Sequence, residues 1–282
     1  MNTTTPLQGS LEHKISQIKK AKKYIFWILG ISWAFGFTAL HLMDSSNIIH
    51  KAIITLIYGF LPATLALILN KKEGGNWKDL KFIKPTVKSA ILAFIIPILY
   101  FGTTISIQVV TGIRTSPDWS MIGSIKELLF ALGIGYPAMM LLILGEEIGW
   151  RGYLQEKLQD SFGALKGILI LGLVWGFWHL PIALEGYNFP NHPYIEAFIT
   201  YPLVGMALSL LIAYLGFNSY SIFIGVILHA SNNHFGSILL LLTEANNEFA
   251  HAMIFNLLYI LIILIFGFLV WKKTLYNKQA GF

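Results

Sequence analysis

Three stretches of the chain hold ionisable and amide side chains inside segments that are otherwise apolar: LILGEEIGWRGYLQEKL from Leu141 to Leu158, VWGFWHLP from Val174 to Pro181, and ILHASNNHFGS from Ile227 to Ser237. An acid or base in mid-membrane costs about 2.5 to 3.5 kcal/mol on the insertion scale, so such groups mark function by default. On a helix, Glu147 and Arg151 are four residues apart and share a face, which predicts an ion pair. Glu146 is turned about 100° away and keeps its lone pairs free, which makes it the better general base. The plainer reading makes both glutamates and Arg151 a solvated cap on the helix end. Trp175 with His179, and His229 with Asn233, repeat the four-residue spacing and present each pair on one face. Together these residues suit the hydrolysis of a peptide bond. Glu146 and His179 hold and deprotonate a water, while His229 and Asn233 donate hydrogen bonds to the developing oxyanion, each donor being worth on the order of 3 kcal/mol. Trp175 is expected to pack the cavity wall and Glu147 and Arg151 to support the site. Asn232 and His234 point elsewhere, toward bonds between helices.

The same residue types allow other chemistries. No serine sits in a nucleophile-elbow sequence, and the absence of cysteine excludes thiolate catalysis and cysteine-ligated metals. Glu146, His179 and His229 offer one carboxylate and two imidazoles, the ligand set of some zinc peptidases, although there is no HExxH pattern. The metal-free reading is preferred because His229 and Asn233 form a donor pair better suited to an oxyanion than to zinc. A non-proteolytic transport or immunity protein would use the same groups as a relay. Such a relay tolerates a spread-out arrangement and a water path through both faces, whereas a protease needs Glu146 and both histidines around one water.

The elements that must position these residues follow from composition. The chain has 282 residues, 55% of them hydrophobic and 12% charged, with mean hydropathy +0.65; soluble domains carry roughly 25% charge. Eight apolar runs, 24–43, 52–69, 89–110, 128–145, 167–184, 197–217, 219–243 and 252–271, are near the roughly 17 to 25 residues of a membrane-spanning helix. The expected fold is all-α and polytopic, with about eight transmembrane helices around an intramembrane cavity. One integral domain over 24–273, its motif-bearing core at 120–240, follows a basic segment 1–23 and precedes a tail 274–282. No removable signal peptide and no internal repeat is read. If the fourth helix continues to about Lys157, Glu146 lies roughly 17 Å from the basic end, beside His179 at about 18 Å and His229 at about 15 Å.

The net charge of +6 is explained by topology rather than by nucleic acid. Lys14, Lys19, Lys20, Lys22 and Lys23 precede the first run, six lysines from Lys71 to Lys88 separate the second and third, and Lys272, Lys273 and Lys278 follow the last. The opposite side holds only Lys51, Arg114 and Lys126. By the positive-inside rule both termini are cytoplasmic in a plasma membrane, with the basic ends on anionic lipid. The Asn70–Pro85 connection is expected to be a membrane-surface loop, and Glu185–Glu196 an interfacial loop or a lid.

These residues carry a resemblance. EExxxR at Glu146, Glu147 and Arg151, the aromatic-xxxH element at Trp175 and His179, and HxxxN at His229 and Asn233 are similar to the motifs of the CPBP (Abi) family of intramembrane endopeptidases, which includes type II CAAX prenyl proteases. The resemblance spans roughly 120–240. It implies an eight-helix core and a glutamic protease without a cofactor, zinc being the alternative. Glu146 and His179 would activate water, His229 and Asn233 would form the oxyanion hole, and Glu147 and Arg151 would hold the helix. The implied substrate is a membrane-associated or lipidated peptide or protein. Bacterial members are linked to bacteriocin maturation or self-immunity, and the composition rich in Ile, Lys and Asn looks bacterial. The sequence sets no oligomeric state.

Overall fold

The computed structural model describes residues 6–42, 47–217 and 221–279. Residues 1–5 of the basic N-terminal segment and 280–282 of the tail lie outside the described residues. The main helices are α1 Pro6–Leu42, α2 Ile48–Lys72, α3 Val87–Val110, α4 Ile125–Phe162, α5 Ala164–Trp178, α6 Pro193–Leu215, α7 Ile222–Leu241 and α8 Glu248–Gln279. Seven are long and apolar enough to cross a membrane, and α5, with 15 residues, is the short one. Large side chains such as Leu141, Leu264 and Phe268 face outward from them, a surface that a bilayer accommodates and water does not. The chain is an all-α, polytopic membrane protein.

Polar residues start the helices where the sequence leaves the interface. Thr86 caps α3 and Ser221 caps α7. Ser124 and Glu127 form a reciprocal capping box at the head of α4, satisfying backbone N–H groups that would otherwise face the membrane unpaired. Successive helices alternate in direction. At one end Lys20, Lys157 and Glu73 meet, joining the start of α1 to the ends of α4 and α2, with Lys81 paired to Glu156 nearby. At the other end Thr115 N–H donates to the Glu244 carbonyl, and Asn191 donates to Glu248.

The expected run 167–184 is not one helix. It stops at Trp178, turns at His179 and resumes for one turn, Leu180–Leu184. Pro181 has no N–H to give the Phe177 carbonyl, and Trp33 Nε1–H of α1 takes that carbonyl at 2.9 Å. The Trp178 carbonyl receives Tyr58 Oη–H of α2 at 2.5 Å, and the Trp175 carbonyl lies 2.9 Å from His179 Nδ1. Side chains thus complete the backbone that the break exposes, as an apolar surrounding demands.

Helix α5 is seated on α6 by glycine. A Cβ on Gly172 would stand 2.4 Å from Met206 Cα, one on Gly176 2.5 Å from Pro202 Cα, and one on Gly205 2.1 Å from the Gly172 carbonyl oxygen. This is small-xxx-small packing, in which backbones touch, and it sets where His179 emerges. The Asn70–Pro85 connection is more than a surface loop. Trp77 is exposed as an interfacial anchor, but Leu80 is buried against Gly152 of α4, and Lys81 O accepts from Ile222 N–H. The connection therefore closes the basic end of the bundle beneath the site.

Gly205→Leu is expected to force α5 and α6 apart and cost about 1–3 kcal/mol, read as a lowered melting temperature of the detergent-purified protein. Gly30→Ala, where a Cβ meets nothing within 4 Å, is the matched control and should melt like the wild type.

Candidate active site

Helix α4 carries Glu146, Glu147 and Arg151 and runs on to Phe162, the continuation that depth-matching with the histidines requires. From Ile148 to Leu154 it widens into a π-helix, a form frequent at functional sites. The two glutamates diverge as their spacing predicts. Glu147 is fully buried, and its Oε1 accepts from Arg151 Nη1 at 3.0 Å and from His229 Nδ1 at 3.1 Å. Arg151 reaches α6 through Ser209 Oγ at 3.1 Å, and its guanidinium lies 4.3 Å over the Trp175 ring. Gly225 of α7 leaves room for the carboxylate, since a Cβ there would be 2.1 Å from Glu147 Oε2. Glu147 thus holds more than its own helix, because it also orients a histidine from α7.

Glu146 turns toward α5, where its Oε2 accepts from Trp175 Nε1–H at 3.0 Å. Among the described residues no donor is bonded to Oε1. Trp175 was expected as wall; it is also a hydrogen-bond donor, and its ring lies edge-on to His229 with centroids 4.8 Å apart. His179 stands at the helix break. A carbonyl only accepts, so the bond to Trp175 O makes His179 Nδ1 the protonated nitrogen and leaves Nε2 a bare acceptor. Tyr201 of α6 stacks on this ring at 4.5 Å and 15°.

The same reasoning assigns His229. Its Nδ1–H points at the Glu147 carboxylate, so Nε2 accepts from Asn233 Nδ2 at 3.2 Å. Asn233 keeps a second N–H, and its Oδ1 accepts from Asn232 Nδ2 at 2.9 Å. Asn232 in turn is bonded by Tyr100 of α3, a link between helices. Among the described residues His234 makes no such link; it packs against the Tyr136 and Phe235 rings, and its buried Nε2 has no partner there.

Glu146, Trp175, His179, His229 and Asn233 line one cavity of about 660 Å³. Glu147 and Arg151 lie behind that wall. The zinc ligand set does not fit this arrangement. Glu146 Oε2 is held by Trp175, both nitrogens of His229 are engaged, and no group of three or more His, Cys, Asp or Glu among the described residues is placed to hold a metal ion. Ser209, Tyr201 and Tyr58 were not foreseen from the sequence. Each is a lone polar residue in an apolar run, with no spacing to distinguish it.

Residues 124–235, from the head of α4 to the middle of α7, match the family model described as type II CAAX prenyl endopeptidase, Rce1-like. Over this segment the chain is similar to the CPBP family that its motifs resemble. Among curated relatives, CAAX prenyl protease 2 of the archaeon Methanococcus maripaludis is 25% identical over 171 residues, which is 57% of this chain and 62% of that protein's length. The matched segment holds all three motifs. Helices α1 to α3 lie outside it, yet they supply Trp33, Tyr58 and Tyr100 to the same neighbourhood.

Two substitutions separate support from chemistry. Glu147→Ala strands a buried guanidinium and should cost about 3–5 kcal/mol, seen as low yield and an early thermal transition. Trp175→Phe keeps a ring but removes one hydrogen bond to a carboxylate, worth about 1.5–3 kcal/mol. It should fold, and the hydrolysis expected from the sequence motifs should fall by about 10- to 100-fold.

Proposed function

We propose that this protein is a multi-pass membrane endopeptidase that hydrolyses a peptide bond in a membrane-associated or lipidated peptide, using a water activated by Glu146 and His179. The observation that carries this reading is that Glu146 and His179, each bonded to Trp175 through one side-chain atom and keeping another acceptor, Oε1 and Nε2, line one cavity together with His229 and Asn233. Two acceptors take both protons of a single water, leaving its lone pairs toward a carbonyl carbon. Attack forms a tetrahedral intermediate with negative charge on the former carbonyl oxygen. The second N–H of Asn233 donates to that oxygen. His229, held by Glu147 at Nδ1, accepts the other Asn233 N–H at Nε2 and so fixes the direction of that donor. The proton taken from water then passes to the leaving nitrogen as the carbon–nitrogen bond breaks, giving a carboxylate and an amine. Kinship with a protein named CAAX prenyl protease supports both the reaction class and a lipid-linked substrate.

The relay reading, with transport or immunity as its purpose, requires a path through both faces. Beneath the cavity, toward the basic helix ends, Trp150, Tyr153, Leu154 and Leu158 are buried, with Leu80 packed over them. That one-sided enclosure favours hydrolysis.

Glu146→Gln preserves shape and removes the base. Detergent-purified protein carrying it should keep the wild-type melting temperature and lose cleavage of a peptide library that includes prenylated C-termini. Asn233→Ala should lower the rate by about 10²- to 10³-fold. Equal cleavage by wild type and Glu146→Gln would refute the assignment. Thorough chelation is expected to leave the wild-type rate unchanged; a loss restored by zinc would replace the water-activating carboxylate with a metal centre.

A further inference from the structure

The cavity opens toward one end of the bundle, the end opposite the lysine-rich one. Its outer wall includes Tyr187, Asn188 and Pro190 from the α5–α6 connection and Glu244 and Ala245 from the α7–α8 connection, all exposed. On α2 it takes Ile54, Thr55 and Tyr58, in the part nearer Ile48 and far from Lys71 and Lys72. On α8 it takes Glu248, His251, Phe255 and Tyr259, again the part distant from Lys272 and Lys273. Glu146, His179 and His229 form its floor, and below them the aromatic and aliphatic plug of Trp150, Tyr153 and Leu154 separates the site from the basic end.

The mouth is built rather than incidental. Buried Glu196 accepts from the backbone N–H groups of Asn188 and Phe189 at 2.9–3.0 Å and from the Asn188 side chain at 2.6 Å, fixing the connection that borders the opening. Asn191 ties the same connection to Glu248 at the start of α8 through 2.9 Å and 2.6 Å bonds. Across the opening Arg114 donates to Thr243 Oγ1 at 2.6 Å and to the Leu240 carbonyl at 3.1 Å, pinning the end of α7.

Lysine-rich helix ends remain on the cytoplasmic side because translocating them is unfavourable. Combining that rule with the position of the mouth, and resting on the protease reading above, we propose that the substrate reaches Glu146 from the extracytoplasmic face. Its cleaved segment is then a peptide displayed at the outer surface of the membrane, delivered there by export or arriving from outside, and not a cytoplasmic lipidated terminus.

The chain contains no cysteine, so single-cysteine variants report their own position without background. Tyr187→Cys and Glu244→Cys at the mouth, and Lys72→Cys at the basic end, are treated in intact cells and after lysis with a maleimide that does not cross membranes. Two mouth positions are used so that poor expression of one leaves the other to decide. Labelling of the mouth cysteines in intact cells, with Lys72→Cys labelled only after lysis, is the expected result. The reverse pattern, or labelling of both ends in intact cells, would overturn the proposal. This readout needs no turnover, so it stands apart from the outcome with Glu146→Gln. Where cleavage is measured, a bulky maleimide on Glu244→Cys should lower it, and the same reagent on Lys72→Cys should leave it unchanged.

Discussion

The buried carboxylate of Glu147 is the constraint on which the rest of the site depends. Taking it out of water costs several kcal/mol, and that cost is offset only by partners of good geometry. Its partners come from different helices: Arg151 one turn along α4, and His229 from α7. Arg151 extends the network to Ser209 of α6 and lies over the Trp175 ring of α5. One carboxylate therefore couples four helices, and each group it orders touches or backs the cavity. The α7 backbone has to approach closely for this, which is why the residue facing Glu147 is Gly225.

The position of His179 rests on a second constraint, a break in a helix at a depth where unpaired backbone is costly. Pro181 creates the break, and three carbonyls around it, those of Trp175, Phe177 and Trp178, find side-chain donors in His179, Trp33 and Tyr58. The first of these bonds also selects the tautomer of His179. One proton thus repairs the backbone and leaves Nε2 as the acceptor that the proposed mechanism uses. The contacts of Gly172 and Gly176 with α6 then hold the broken end in register with Tyr201, which stacks on the imidazole.

The polytopic helical architecture and the shared faces of the motif residues were legible in the sequence because both depend on local pattern: apolar run length for the spans, four-residue spacing for the faces. The continuation of α4 past Glu147 was legible as well, since the amphipathic run does not stop there. The break at His179 was not read, although Pro181 stood in plain view, because a hydropathy run does not register one missing N–H. The partners of Glu147 and Trp175 were hidden for a different reason. Spacing along a helix predicts which residues share its face, as with Glu147 and Arg151, but says nothing of which other helix that face meets. His229, Ser209 and Tyr201 join the site through tertiary packing alone.

The membrane setting also bears on the kind of oxyanion site proposed for this chain. Soluble hydrolases commonly use backbone N–H groups at turns or helix N-termini. In a membrane-spanning helix those groups are committed to the helix itself, and irregular backbone is tolerated only where protein or a cavity satisfies it. Donors for a developing oxyanion must then be side chains, and four-residue spacing puts the Asn233 amide on the same face as His229, whose Nε2 accepts one of its N–H groups. The same reasoning limits where the base can lie. A carboxylate at this depth has to be oriented by a donor that leaves one oxygen open to the cavity, and Trp175 Nε1–H is such a donor for Glu146.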